Sequence, residues 1–299
     1  MASPSTFLHP RPMAAFAALL LGACAPAKKF CPADFSVDFT EALKYAALAE
    51  RAYAPDSAVK TACGLDSCFL FTGPTTGARA FLQVNDGAKE QWLAFRGTAA
   101  FSDVKLDADY TQSDDSILHI RLHRGFAKAV QDLSPLYAPH LRAGYRTRLT
   151  GHSLGGAMAA VAGLYLRAEG FDVQVETFGQ PKVTNAAGAR RADSLNLVRF
   201  LNGVDLVTQV PPLSYNPGKL GSYEHFGREV ALLDGKGYEC LQEHYRKRFD
   251  PESWWNQAQE EAVKDHGIEK YLAKLKALAP AVAAPAASAA GPEPDPSKP

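Results

Sequence analysis

The residues best suited to do chemistry in this chain are Gly151-His152-Ser153-Leu154-Gly155-Gly156-Ala157. They fit the pattern G-x-S-x-G, follow a short β-like run from Arg146 to Thr150 and open an Ala-rich helical stretch. That strand–turn–helix context is the one that holds a serine hydroxyl out as a nucleophile. The turn is tight enough that flanking glycines must supply backbone conformations and clearances a Cβ would obstruct. The helix N-terminus behind Ser153 offers free N–H groups and the positive end of a dipole, both of which favour negative charge nearby. The chemistry implied is acyl transfer through the Ser153 hydroxyl.

A serine hydroxyl at neutral pH needs a base, and the base needs an acid that holds its tautomer and stabilises the imidazolium. Around an elbow of this kind the partners follow in the order Ser, Asp, His. Asp205 stands where a β-like run, Phe200-Leu201-Asn202, gives way to a Gly-containing turn. Carboxylates just past a strand's C-terminal end fall on the edge where parallel sheets carry their sites. Three histidines follow: His225, His244 and His266. His244 sits among Glu243, Arg246 and Lys247 and reads as part of a solvated charged face. His152 diverges from its neighbour Ser153 on the turn and reads as structural. The residues alone leave His225 and His266 both open as the base.

The elements that must position this set read as α/β. Asp38-Phe39-Thr40-Glu41 suits a helix start in which Asp38 caps and Glu41 reaches back. Apolar positions then continue at helical spacing to Tyr53. Arg79 to Val84 and Gln91 to Phe95 read as two strands around the turn Asn85-Asp86-Gly87. A helix is predicted from Gly125 to about Leu141, with Pro135 bending or restarting it. Beyond the elbow come a strand at Val173–Phe178, a helix near Asn185–Ser194 and a strand at Asn196–Leu201. Strands alternating with helices predict a central, mostly parallel sheet flanked by helices.

With 299 residues, 46% of them hydrophobic, the chain can bury one sizeable core. Its formal charge is zero and it has no basic block, so no nucleic acid partner is implied. An apolar run from Met13 to Leu21 is too short to span a bilayer and reads as the core of a signal peptide. Leu21-Gly22-Ala23-Cys24 resembles a bacterial lipobox, which makes residues 1–23 a lipoprotein-type leader and Cys24 the lipidated residue. Ala25 after the cysteine leans the destination toward the outer membrane of a Gram-negative bacterium, the alternatives being periplasmic or secreted. Membrane contact would then run through the N-terminal lipid. Four cysteines remain in an exported chain, and the pairing expected is Cys63–Cys68, around a short turn-like loop, with Cys31–Cys240 by elimination. No His pair stands at ligand spacing beside them, so neither a metal nor another cofactor is implied. Residues 24–37 read as a tether, 38–279 as the folded domain, and 280–299 as a disordered Ala/Pro-rich tail.

Between Leu93 and Tyr271 the chain resembles the fungal-type class 3 lipases. Ala94-Phe95-Arg96-Gly97-Thr98 looks like the family's F-R-G-[ST] segment and His123-Arg124-Gly125-Phe126 like its H-x-G-F. The elbow comes next, then Phe178-Gly179-Gln180-Pro181-Lys182-Val183, similar to a G-x-P-x-[VI] element. Asn202-Gly203-Val204-Asp205 with Pro211-Pro212 resembles the segment bearing the family's catalytic aspartate. The resemblance implies an α/β-hydrolase fold and a serine hydrolase of lipid or acylglycerol esters, expected as a monomer. It assigns the base to His266, in an Asp-His pair ahead of Tyr271, and leaves His225 as the alternative in a structural segment. It places the oxyanion hole at the backbone of Leu154 and at Thr98, and a lid at 99–110, where Phe101 and Val104 make only a small apolar face. A phospholipase, a short-chain esterase or an acyltransferase would use the same triad. A non-catalytic envelope lipoprotein is the reading from a different class.

Overall fold

The structure, a computed structural model, describes residues 35–63, 67–98, 111–203, 205–211, 223–234, 237–241 and 265–279. The leader at 1–23, Cys24, Cys31, most of the tether, the lid at 99–110, His244 and the tail at 280–299 lie outside these residues.

The strands in chain order are β1 (Cys68–Thr72), β2 (Arg79–Asn85), β3 (Glu90–Phe95), β4 (Gln112–Asp115), β5 (Ile120–His123) and β6 (Arg146–His152). They continue as β7 (Asp172–Phe178), β8 (Thr184–Asn185), β9 (Asn196–Asn202), β10 (Tyr223–Glu224), β11 (Arg228–Leu232) and β12 (Tyr238–Leu241). The helices are α1 (Phe39–Arg51), α2 (Asp56–Cys63), α3 (Arg124–Tyr137), α4 (Leu154–Ala168), α5 (Ala186–Ala192) and α6 (Ile268–Leu278). The main sheet has the order β1-β2-β3-β6-β7-β9-β11-β12. Its centre, from β3 to β11, is parallel, and antiparallel hairpins close both edges. A small antiparallel sheet, β10-β8-β5-β4, stands apart from it. This is the α/β-hydrolase architecture.

Both faces of the parallel centre are covered, which is why β6, β7 and β9 are buried along most of their length. On one face lies α4, buried from Gly155 to Leu166 and rich in Ala and Gly, with α3 packed over it through Val130 and Leu133. On the other face, α1 and α6 bring Tyr45, Ala46, Tyr271 and Leu275 onto Phe178, Phe200 and Val230. The Cys63–Cys68 disulfide, with a Cα separation of 5.9 Å, joins the end of α2 to the start of β1. Cys240 is also disulfide-bonded.

Local chemistry explains the boundaries and two departures from the sequence reading. Asp38 caps α1 by accepting from the amides of Thr40 and Glu41 at 2.9 and 3.0 Å. Glu41 does not complete a capping box; its carboxylate turns to Lys44 and to Arg148 of β6. Burial beneath α1 makes the guanidinium a stronger claimant on that carboxylate than one more backbone amide. Helix α3 runs through Pro135 and stops at Tyr137, followed by a 3-10 turn at Ala138–His140 rather than a continued helix. The β2–β3 hairpin pairs Asn85 with Glu90, so its loop is four residues long. Asn85 Oδ1 accepts from the Ala88 amide, and Lys89 takes a positive φ.

Candidate active site

Parallel β3 and β6 lie side by side, with Phe95 opposite Gly151. Their chains leave the sheet at the same edge, one toward Thr98 and the other into Ser153. The Ser153 backbone is at φ 59°, ψ −129°, a conformation L residues avoid, and the residue is 3% exposed. Two close approaches enforce it. A Cβ at Gly151 would come within 2.3 Å of the Gly155 backbone, and one at Gly155 within 2.3 Å of the Phe95 carbonyl oxygen. On the far side the Ser153 amide donates to the Phe178 carbonyl at 2.9 Å. Strand end, turn and helix start are therefore packed backbone to backbone, and only glycine fits between them.

Ser153, Leu154 and Thr98 line one cleft of about 490 Å³ with Phe126, Met158 and Pro211 among its other walls. Leu154 begins α4, so its amide is among those an α-helix leaves without an intrahelical acceptor. The site lies at the C-terminal edge of the parallel strands, where the helix N-terminus adds its favourable field. His123 borders the same cleft and caps α3, its Nδ1 accepting from the Gly125 amide at 3.2 Å.

Two strands further along, β9 delivers Asp205 and the segment before α6 delivers His266. The Nδ1–H of His266 donates to Asp205 Oδ2 at 2.8 Å, and both side chains are buried. Asp205 is further held by the Val207 amide on Oδ1 at 3.0 Å and by the Tyr271 hydroxyl on Oδ2 at 2.5 Å. Burial, and after it the Asp205 charge, push the Tyr271 hydroxyl well above the usual phenol range, so it remains a donor. Asn202 Nδ2 fixes the Asp265 carbonyl at 2.7 Å, docking the His266 segment on the end of β9. Gly179, one residue past the carbonyl that accepts from Ser153, sits directly against the Asp205 carboxylate and the His266 ring.

Two further buried histidines are engaged elsewhere. His225 is buried with Nε2 donating to the Thr208 carbonyl at 2.6 Å, next to the Arg199–Glu229 ion pair that packs β9 on β11. His152 turns away from the cleft, with Nε2 at 2.5 Å from the His266 carbonyl and Nδ1 at 2.9 Å from the Tyr53 hydroxyl. Burial, helped by the neighbouring His266, lowers its pKa to about 3, so the ring is neutral. Tyr53, Gly179 and the capping role of His123 carry no signal in the sequence beyond apolar spacing and motif membership. Among the described residues no group of three His, Cys, Asp or Glu side chains is arranged to hold a metal ion.

Comparison with known proteins finds similarity to one family. Residues 92–215 match the family model for lipase (class 3). The secreted mono- and diacylglycerol lipase 1 of Fusarium solani is 28% identical over 172 residues, 54% of this chain and 50% of the relative. The lipase of Rhizopus niveus is 31% identical over 159 residues, 48% of this chain and 41% of the relative. The chain thus spans about half the length of the curated relatives it matches. Among solved structures, lipase II from Rhizopus niveus superimposes with a TM-score of 0.61 at 24% identity, covering 76% of this chain and 92% of that one.

Proposed function

We propose that the chain belongs to the fungal-type class 3 lipase family, whose model matches residues 92–215, and that it is a serine carboxylic-ester hydrolase acting on lipid or acylglycerol esters. The observation that carries the reading is the company Ser153 keeps. It stands at the head of α4 in one cleft with Thr98 and Leu154, while the carbonyl that accepts its amide leads into the hydrogen-bonded His266–Asp205 pair.

In this proposal Ser153 Oγ attacks the ester carbonyl carbon and passes its proton to Nε2 of His266. Asp205 keeps the other ring proton on Nδ1 and stabilises the imidazolium that forms. The carbonyl oxygen, now an alkoxide, is met by the amides of Leu154 and Thr98; removing one such donor typically costs about 10²–10³ in turnover. His266 then protonates the departing alcohol oxygen as its bond to the acyl carbon breaks, leaving the acyl group on Ser153. Water, deprotonated by His266, attacks the acyl-enzyme, and collapse returns the proton to Ser153 and releases the carboxylic acid. No cofactor enters the cycle.

The substrate carries a hydrocarbon acyl chain, in keeping with the Phe126, Met158, Val210 and Pro211 walls of the cleft. We take the protein to be exported, with residues 1–23 as leader, Cys24 as lipid anchor and the outer membrane as destination. The named secreted relative supports export. We also retain the Cys31–Cys240 pairing and a monomeric state as part of the proposal. The test is hydrolysis of p-nitrophenyl esters of graded acyl length, with and without a lipid interface. Turnover that vanishes in Ser153→Ala is expected; a folded wild-type protein inert toward the whole series overturns the reading.

A further inference from the structure

Tyr53 lies just past the C-terminus of α1, remote in sequence from every motif of the site, yet its half-buried side chain brings its hydroxyl onto His152, the neighbour of Ser153. One close contact and two hydrogen bonds run there in series. The Gly97 backbone, one residue before Thr98, packs directly against the Tyr53 oxygen. The Tyr53 hydroxyl lies 2.9 Å from Nδ1 of His152, and Nε2 of His152 lies 2.5 Å from the carbonyl of His266. The directions follow from chemistry. A carbonyl only accepts, so His152 must carry its proton on Nε2. Burial keeps the ring neutral, so Nδ1 is bare and takes the single proton of Tyr53. Burial likewise pushes the Tyr53 phenol above its ordinary range and keeps that proton in place. The weaker alternative acceptor, the His152 carbonyl, is 3.4 Å away.

We propose that Tyr53 and His152 are a positioning pair that ties the oxyanion arm to the catalytic base, setting the distance between Thr98 and His266 through one close backbone contact and two directed hydrogen bonds. The inference rests on the roles proposed above for Thr98 and His266. Neither Tyr53 nor His152 touches substrate. What they fix is the backbone on both sides of the reacting carbon: Gly97 on the end of β3, and the carbonyl of His266, one residue past the Asp265 carbonyl that Asn202 holds. The approach at Gly97 is close enough that a Cβ there would sit 2.2 Å from the Tyr53 oxygen and 2.5 Å from the His152 carbonyl oxygen. The two arms therefore have no slack between them. The His152 and His266 rings also lie against each other, tilted by 36° with centroids 4.4 Å apart. A misplacement of about 1 Å at such a centre can cost on the order of 10² in rate.

The test compares Tyr53→Phe, His152→Gln and His152→Asn with wild type in steady-state hydrolysis of p-nitrophenyl butyrate, alongside thermal unfolding and imidazole ¹⁵N NMR. Tyr53→Phe removes one proton and keeps the ring. Its kcat is expected to fall about 10- to 100-fold with KM within twofold and the melting temperature nearly unchanged. His152→Gln carries an amide N–H to the place of Nε2 and is expected to keep several-fold more kcat than His152→Asn, whose amide stops at the place of Nδ1. In the spectra, wild type is expected to show His152 as the Nε2–H tautomer, and Tyr53→Phe to shift the His266 ring signals. Wild-type kcat in Tyr53→Phe, or equal loss in both His152 variants matched by equal loss of stability, overturns the pair as a positioning device. If the wild-type protein itself hydrolyses nothing, the enzymatic reading fails separately, and the ¹⁵N signals decide the linkage: unmoved His266 resonances in Tyr53→Phe would refute it.

Discussion

Oδ2 of Asp205 accepts the Tyr271 hydroxyl at 2.5 Å and the His266 Nδ1–H at 2.8 Å, so Tyr271 and the histidine share one carboxylate oxygen. The tyrosine comes from the first turns of α6, packed under the sheet between Phe178 and Leu275. A buried carboxylate needs several donors to stay ionised, and hydrogen bonds to charged groups are worth about 1.5–3 kcal/mol. Tyr271 thus links the packing of α6 to the charge that orients the base.

Removing that one oxygen tests the link. Tyr271→Phe is expected to leave Asp205 with Val207 and His266 only, lowering kcat about tenfold with little change in KM, and lowering stability by about 1–3 kcal/mol. Parallel measurement of kcat, KM and urea unfolding checks it. A variant with undiminished kcat would mean that the tyrosine serves packing alone.

Gly179 is the residue against which the acid and base are set. Its φ is +60°, and a Cβ there would lie 2.8 Å from Asp205 Oδ2 and 2.8 Å from His266 Cε1. Gly179→Ala is therefore expected to push the pair apart and to reduce kcat by about 10² or more, with a stability loss of roughly 1–2 kcal/mol from the left-handed backbone. Circular dichroism of the variant should be native-like. Full activity in a folded Gly179→Ala protein would show that the pair tolerates displacement.

Beneath α1, away from the cleft, Glu176 is 6% exposed, and burial, then the nearby Glu41 charge, raise its pKa from 4.5 to about 8. The folded protein holds this proton up to about pH 8, whereas the unfolded chain releases it near the ordinary carboxylate value. Between those limits the unfolded state binds fewer protons, so the group's contribution to stability is full at low pH and is lost as pH rises, levelling off above about 8. Glu176→Gln removes the dependence. Its stability relative to wild type is expected to grow from pH 5 to pH 8 by an amount on the order of a few kcal/mol at most. Melting curves at the two pH values that shift in parallel would contradict this.

How much of this was legible in the chain depends on how local the cause is. The elbow is written in Gly151, Ser153 and Gly155 because backbone contact admits nothing larger, and β2 and β3 are written in short apolar runs on either side of Asn85-Asp86-Gly87. The small sheet was not legible: β8 and β10 are two residues each, and β4 is Gln-Ser-Asp-Asp, polar because it pairs without a core on both sides. Strands β11 and β12 carry too short a pattern to stand out. Within the site, His225 and His266 both follow Asp205 and are both buried, so their partners, the Thr208 carbonyl and the Asp205 carboxylate, separate their surroundings only in three dimensions. Tyr53 reads in sequence as one more apolar position at the end of a helix. Its polar role exists only because α1 folds across the sheet to the far end of β6.

The central claim is that Ser153 is a nucleophile activated by His266. The most direct measurement is covalent labelling by a fluorophosphonate, mapped by peptide mass spectrometry in wild type, Ser153→Ala and His266→Ala. The account predicts one phosphonyl group per chain on Ser153 in wild type, none in Ser153→Ala, and labelling slowed by several orders of magnitude in a folded His266→Ala protein. A native protein that stays unlabelled, or that carries the label on another residue, would contradict it.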